Sequence, residues 1–401
     1  MNKQERIRAI RILLLQKKKV FTSDLVRQFS VTERTIRRDL KTLEDSGIAQ
    51  LFFGGAKVIN LVEKDIFKET GIKKIMMNLG NKYSQANAAA EKEANTSEVY
   101  ILGSFNVDIV TEVSSFPTVG QTIHAKSTNF YAGGKGSNQA TAAAKVSDAV
   151  HFTVKIGKDE FGEKARNYFS STQLKSLTVM EDEEKPTGNA VVLVSESERD
   201  NMITIDLGAN ENIHEDEISD DLVRIQDAKV FLTQLENNFA ITRMAVEYAS
   251  RTNALVMLNP APYVDDVKTI INMIDLITPN ETEAEELSGV AIHSLEDAKK
   301  AAQVIHEMGP KIVIITLGSK GCLVFDGEAF HQFEPFKAVV ADTSGAGDSF
   351  NGALAACLAN GKPLFDAINY ASAFASLAVE RKGASNMPDD ALVQARLALA
   401  K

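Results

Sequence analysis

Two small-residue stretches of this 401-residue chain carry side chains whose types and spacing could do chemistry. The first is DTSGAGDSFNGAL, Asp342 to Leu354. Gly345, Ala346 and Gly347 are small enough for three backbone N–H groups to converge where a helix containing Phe350, Ala353 and Leu354 begins. A helix N-terminus with bare amides is an anion site. Asp348 follows at once and sets a carboxylate beside that anion hole. Amides that hold developing phosphoryl charge, next to a base that takes a hydroxyl proton, suit phosphoryl transfer to an alcohol. Read alone, the stretch is also compatible with a glycine-rich helix start capped by Asp348.

The second stretch is YAGGKGSNQATAAA. Gly133, Gly134 and Gly136 surround Lys135, and Asn138 opens an Ala-rich helix. Amides, an ammonium and a carboxamide together suit a polyhydroxylated ligand; a surface turn before a helix is the plainer alternative. No G-x-x-x-x-G-K-[ST] pattern occurs, which excludes a P-loop nucleotide site.

The elements that must hold these residues read as an α/β body from about residue 97. EVYILGS, ALVMLNPAP, IDLITPNETEAEEL and KIVIITLGSKG each run as an apolar strand, a polar loop and then a helix. That order implies a parallel sheet with helices on both faces. Ligands of such sheets bind at the carboxyl ends of the strands. Asn106, Asp108, Glu236, Asn280, Thr316 and Asp348 are placed there by this reading.

With GGKGSNQA and DTSGAGDSFNGAL taken together, residues 97–401 resemble the ribokinase (PfkB) family of carbohydrate kinases. GSFNVDIV, LNPAP, TPNETEAEELSG and TLGSKG point to its ribokinase branch. The resemblance implies a ribokinase-like parallel sheet with a small β-lid around Ile109–Tyr131 and Asn189–Ile205, which also makes a homodimer contact. It implies ATP-dependent phosphorylation of D-ribose at the primary O5 hydroxyl, giving ribose 5-phosphate. Asn106, Val107, Asp108, Gly134, Lys135, Gly136, Ser137, Asn138 and Glu236 would meet the sugar. Asn280 and Thr316, Leu317, Gly318, Ser319, Lys320 and Gly321 would line the ATP site, with Gly347 and Asp348. Glu283 would organise Mg²⁺ and the phosphates, and Asp348 would be the catalytic base. Activating potassium would lie near Asp342, Ser344, Ala378, Arg381 and Gly383, partly on backbone carbonyls. There RKGASNMP is one residue shorter than the family pattern, with Ser385 or Asn386 in place of the usual final Ser.

The charge is unevenly placed. Residues 1–60 carry 13 Lys/Arg and 6 Asp/Glu, a net of +7, in a chain whose formal charge is −10. The remaining residues therefore carry −17, so a basic module is attached to an acidic body. Ile7, Ile10 and Leu14 recur at helical spacing. Thr22 or Ser23 can cap a second helix that turns Leu25, Val26 and Phe29 inward. After a turn at Ser30 and Val31, Thr32 can cap a third, with Ile36, Leu40 and Leu43 apolar and Gly47 as its stop. This is a helix-turn-helix whose third helix offers Thr32, Arg34, Thr35, Arg37 and Arg38 to a DNA major groove.

TERTIRRDLKTLEDSG followed by GGA resembles the signature of the DeoR family of bacterial regulators. The resemblance implies a winged helix-turn-helix over residues 1–58 that binds double-stranded DNA. IAQLFFGGAKV forms its hairpin wing, with Leu51 and Phe53 where the family carries a basic residue and a histidine. A dimerisation remnant is the competing use of the module. Residues 59–96 read as a linker rich in Ala, Asn, Gln and Glu.

Two cysteines without metal or redox spacing point to a reducing cytoplasm. No apolar run reaches the ~18 residues a membrane span needs. Besides a ribose kinase fused to a DNA-binding domain, two functions stay open: a kinase-fold sugar sensor acting as a regulator, and a kinase for deoxyribose or a nucleoside.

Overall fold

The computed structural model describes residues 19–29, 31–45, 49–52, 55–58, 98–219 and 221–399, together with Arg6, Ile7, Ile10 and Leu14. The expected linker at 59–96, the stop at Gly47 and Phe53 of the wing lie outside these residues. The chain divides into two compact units, residues 1–92 and 93–401.

In the first unit, β1 (Lys19–Phe21) leads into α1 (Thr22–Phe29), α2 (Glu33–Asp45), β2 (Ala49–Phe52) and β3 (Gly55–Val58). Arg6, Ile7, Ile10 and Leu14 are helical. Ile10, Leu14, Leu25, Ile36, Leu40 and Leu43 close one small core, as their helical spacing predicts. β2 and β3 make the expected hairpin; β1, which periodicity did not reveal, pairs with β3. Its three residues are too few for an alternating pattern, and only Val20 is buried. Leu51 packs against the core.

The second unit is built on a nine-stranded sheet. It uses β4 (Val99–Leu102), β7 (Val150–Gly157), β8 (Ser176–Asp182), β11 (Val230–Thr233), β12 (Leu255–Leu258), β13 (Leu276–Ile277), β14 (Ile312–Thr316), β15 (Cys322–Phe325) and β16 (Phe330–Phe333). The order is β16-β15-β14-β13-β12-β11-β4-β7-β8. The seven strands from β14 to β8 are parallel, as the alternation of strands and helices requires. β15 and β16 are antiparallel, and the expected helix after TLGSKG is replaced by β15. Only Leu317–Gly321 separates β14 from β15, and a parallel crossover needs a dozen or more residues, so the chain can only reverse.

Alternate side chains of the central strands feed two cores. Val99 and Ile101 pack with α3 (Lys135–Ala144), α8 (Ala346–Ala359) and α9 (Leu364–Ala378) on one face. Tyr100 and Leu102 pack on the other with α5 (Phe239–Ala249), α6 (Glu281–Ser288) and α7 (Leu295–Glu307). α4 (Glu160–Ser171), through Ala165 and Phe169, and α10 (Asp390–Leu399), through Val393, join the core of the first face. Cys322 and Cys357 are buried and unpaired with each other, and burial pushes both thiols up to about 12.

Four further strands form a separate small sheet in the order β10-β9-β5-β6. They are β5 (Asn106–Val113), β6 (Ser127–Gly133), β9 (Gly188–Ser195) and β10 (Asp200–Asp206). This is the expected lid. Its outer strand exposes about half of Met202, Ile203 and Ile205. No helix of the described residues is long and apolar enough to cross a membrane.

Candidate active site

The anion loop folds as its small residues require. Gly345 takes a left-handed φ of 72° and caps α8, where a Cβ would sit 2.6 Å from the Ala384 carbonyl oxygen. A Cβ on Gly347 would meet only open space, so ligand can approach its backbone. Of the three amides expected to converge, that of Ala346 donates to the Thr343 carbonyl (3.2 Å). Among the described residues, no hydrogen-bond acceptor stands against the N–H groups of Gly345 and Gly347.

Asp348 lies in the first turn of α8, 7% exposed. It accepts hydrogen bonds from Asn138 Nδ2 on Oδ2 and from Gln139 Nε2 on Oδ1, both at 3.0 Å. α3 and α8 come close enough for this because Gly352 faces the Gln139 carbonyl, where a Cβ would lie 2.1 Å from the oxygen. Asp348 is therefore held by partners from the other glycine stretch, which capping of its own helix does not explain.

The polar residues of the second stretch gather around Glu236. Glu236 Oε2 accepts from the Ser104 hydroxyl (2.5 Å) and the Lys135 backbone N–H (2.9 Å). The Gly136 N–H donates to the Ser104 hydroxyl (3.3 Å) and the Ser137 N–H to the Ser104 carbonyl (2.8 Å). Gly134 has a φ of 88° and presses on the start of the lid, 2.7 Å from its would-be Cβ to the Asn106 nitrogen. Asn106 opens β5 with its carboxamide oxygen held by Asn210 Nδ2 (3.0 Å). Asp108 lies against the Cα of Gly133, so that a Cβ there would be 2.3 Å from Oδ2. Asn106 and Asp108 thus stand on a lid strand, not at the end of a strand of the large sheet. Val107 points into the core, and Ser137 is fully buried.

Charge in this region is strongly unbalanced. Burial, then Glu236 and Asp348, raise the Asp108 carboxyl to about 7. Burial also raises Glu236 and Glu283. Burial works against the Lys135 ammonium, yet Asp348, Glu236, Glu283 and Asp108 outweigh it and hold its pKa above the ordinary lysine value. One ammonium thus stands among four carboxyl groups, three of which are pushed toward the neutral form.

A cleft of about 820 Å³ adjoins it, lined by Lys135, Asn280, Glu283, Thr316, Gly318, Ser319, Gly321 and residues 345–348. Asn280 and Glu283 form a capping box on α6: Asn280 Oδ1 accepts from the Glu283 N–H (2.8 Å), and Glu283 accepts from the Asn280 N–H (2.9 Å). Thr316 bridges to Asn280. Leu317 is buried, and Lys320 reaches outward to Glu281 (3.1 Å), so neither side chain lines the cleft. Phe336, Val340, Ala375 and Val379 supply an apolar wall. Beside the anion loop, the Asp342 carboxylate accepts from the backbone N–H of Ser344 and of Gly383, both at 2.9 Å, clasping two loops together. The Ala378 carbonyl accepts from the Arg381 N–H (3.0 Å). Ser385 turns away from this clasp: its hydroxyl bonds the Ala132 carbonyl (2.6 Å) and Asn138 Oδ1 (2.9 Å). Among the described residues, no three His, Cys, Asp or Glu side chains cluster to hold a metal by themselves.

The first unit carries a second candidate site. Thr32 caps α2, accepting from the Thr35 N–H (3.3 Å). Arg34, Arg37 and Arg38 are exposed, and Arg37 is tied to Glu33 one turn earlier (2.7 Å). Buried Arg6 pairs with buried Asp39 at 2.6 Å, which fixes α2 from inside.

The profile of pfkB family carbohydrate kinases matches residues 96–391. This chain belongs to that family. The pfkB kinase also carries a DeoR-like helix-turn-helix domain, matched over residues 6–62. It is 35% identical over 286 residues to the ribokinase of Haemophilus influenzae, covering 71% of this chain and 93% of the relative. It is 29% identical to the deoxyribokinase of Salmonella typhimurium, covering 71% and 94%. Its fold matches the Arabidopsis thaliana ribokinase complexed with ribose and ATP, with a TM-score of 0.70, 33% identity and coverage of 75% and 99%.

Several residues that shape this pfkB site were not foreseen. Ser104 and Asn210 orient Glu236 and Asn106, and Ser385, which the sequence pattern sets at the cation loop, instead bonds Asn138. Gln139 bonds Asp348 directly. Gln139 lies in the YAGGKGSNQATAAA stretch, but nothing in the order of residues shows that its amide faces α8; Asn210 lies far away in sequence with no local pattern.

Proposed function

We propose that this pfkB kinase transfers the γ-phosphoryl group of ATP to the O5 hydroxyl of D-ribose, and that its DeoR-like domain binds double-stranded DNA. The observation that carries the kinase reading is Asp348, buried at the mouth of the anion loop and shared with the sugar-side Asn138. In this reading Asn106, Asp108, Gly134, Lys135, Asn138 and Glu236 bind the sugar, Asp108 accepting hydrogen bonds from two hydroxyls. Val107, Gly136 and Ser137 contribute backbone shape.

Asp348 takes the O5 proton as O5 bonds to the γ-phosphorus and the bond to the ADP oxygen breaks. The Gly345 and Gly347 amides hold the charge on the transferring group, with Ala346 keeping the loop turned. Asn280, Thr316, Gly318, Ser319 and Gly321 line the ATP cleft, with Leu317 and Lys320 contributing main chain.

A divalent cation fits the donors present. Mg²⁺ keeps several waters and takes one or two carboxylates plus phosphates, and Glu283 offers one partly buried carboxylate beside the cleft. Bound Mg²⁺ would neutralise phosphate charge that the site's own carboxylates repel. For K⁺, Asp342, the hydroxyl of Ser344 and the carbonyls of Ala378, Arg381 and Gly383 would supply an all-oxygen donor set near the clasp. The exposed apolar residues of β10 support a homodimer through the lid, and two α2 helices would then meet a two-fold DNA site. In this reading the protein works in the cytoplasm, where DNA and ATP are both available.

The test is ATP-dependent phosphorylation of a panel of ribose, 2-deoxyribose and nucleosides by the purified chain. Ribose should give the highest kcat/KM. Phosphorylation of none of them would leave a sugar-sensing regulator as the better reading, which the DNA-binding domain favours.

A further inference from the structure

Gln139 is fully buried, yet it touches Asp348 rather than solvent or the cleft. Its amide is saturated. One Nε2 hydrogen goes to Asp348 Oδ1 and the other to Asn259 Oδ1, both at 3.0 Å, while Oε1 accepts from Gln234 Nε2 at 2.6 Å. The amide cannot turn without breaking three buried hydrogen bonds. The relay continues from Asn259 Nδ2 to the Thr278 carbonyl (3.2 Å) and from the Thr278 hydroxyl to Asn351 Oδ1 (2.6 Å). Asn351 Nδ2 then donates to the carbonyl of Gly347 in the anion loop (2.8 Å). Gln234, Asn259 and Thr278 follow β11, β12 and β13 directly, so the relay is anchored on three adjacent strands of the large sheet.

The two oxygens of Asp348 are therefore held differently. Oδ2 is held by Asn138, whose own carboxamide is shared with Ser385 and faces the sugar side, so that partner can change when ligand binds. Oδ1 is held by an amide with no such freedom. We propose that Gln139 is a positioning residue for Asp348. It pins Oδ1 to the ends of β11 and β12 and leaves Oδ2 to take the substrate proton, with the same relay fixing the base relative to Gly347. This rests on the reading of Asp348 as the base. Small displacements of a reacting group cost large factors in rate, so an amide that touches neither substrate can govern turnover.

The experiment uses the full-length protein with ribose and ATP. Gln139→Met keeps the volume and removes the donor. The kcat should fall about ten- to a hundredfold, the loss of one hydrogen bond to a charged group, with both KM values within roughly threefold. Added to Asp348→Asn, the same change should cost less than about threefold, because residues acting as one unit are not additive. A folded Gln139→Met variant with kcat within about twofold of wild type overturns the proposal, as does a loss that multiplies in full on Asp348→Asn. If Gln139→Met does not fold, Gln234→Met releases only Oε1. It should lower kcat about three- to tenfold at constant KM, and unchanged kcat overturns the relay. Normal turnover by Asp348→Asn alone would instead remove the base assignment, and this inference with it.

Discussion

Lowering the pH from 8 to 6 should loosen sugar binding through one side chain, Asp108. Burial and the neighbouring Glu236 and Asp348 raise its carboxyl to about 7 in the ligand-free protein. A carboxylate that accepts from two sugar hydroxyls must be ionised to do so, and protonation replaces a charge-assisted interaction with a neutral one. With a pKa of about 7, the fraction ionised makes the apparent dissociation constant about 1.1 times its plateau at pH 8 and about eleven times at pH 6. Binding at pH 7 should release about half a proton. Calorimetric titration with ribose, without nucleotide and in buffers of different ionisation enthalpy, reads both quantities. Asp108→Asn should bind more weakly at pH 8 and flatten the profile. Stability follows the same proton. A raised carboxyl pKa contributes stability that is complete below the unfolded value near 3.8 and is lost as pH rises through about 7. The empty wild-type protein should melt lower at pH 8 than at pH 6, and the variant should lose most of that difference. A ribose affinity independent of pH in wild type, or an equal slope in Asp108→Asn, would refute the assignment.

Three further outcomes are expected. Asp348→Asn keeps the shape but removes the base, so turnover should fall roughly 10²–10⁴-fold at little-changed ribose affinity; near-normal kcat in the purified variant would sink the mechanism. Asp39→Ala strands the buried Arg6 guanidinium, a loss of about 3–5 kcal/mol and a large share of a small domain's stability. DNA binding in a mobility shift should vanish while kinase turnover is unchanged; intact DNA binding would contradict this account of α2. Arg34→Ala or Arg38→Ala should each flatten the slope of log affinity against log salt by about 0.9 if the side chain meets a phosphate. Arg37→Ala should change it less, because Glu33 already neutralises that guanidinium. Equal binding by full-length protein and a variant lacking residues 1–60, even at low salt, would show that the domain does not read DNA.

What the sequence made legible was local. The anion loop, the Lys135 turn and the capping box at Asn280 each lie within one short stretch, where glycine placement and helix periodicity carry the signal. Four of the seven parallel strands, β4, β12, β13 and β14, were legible because buried strands read as apolar runs ahead of polar loops; β7, β8 and β11 were not picked out. β15 was missed because Cys322–Phe325 is also an apolar run, and only the shortness of the preceding loop shows that the chain reverses. The partners of Asp348 were half legible: Asn138 was named and Gln139 beside it was not, since nothing in the order of residues shows which amide faces the helix packed against it. Ser385 hydrogen-bonds Asn138, not the clasp at Asp342, a choice made by tertiary contact with β6.

The contact between Asp108 and the bare Cα of Gly133 constrains how these two positions can change. With Asp108 in place, any side chain at 133 would collide with both carboxylate oxygens. With a larger residue already at 133, a returning aspartate would find its place filled. The two positions lie on neighbouring strands, and their histories must be ordered: Asp108 has to shrink or leave before Gly133 can grow. A library that varies 108 first opens room at 133, whereas one that varies 133 first yields mostly dead ends. The route between such variants therefore passes through one intermediate, a small residue at 108 beside Gly133: position 108 changes first on the way out and last on the way back.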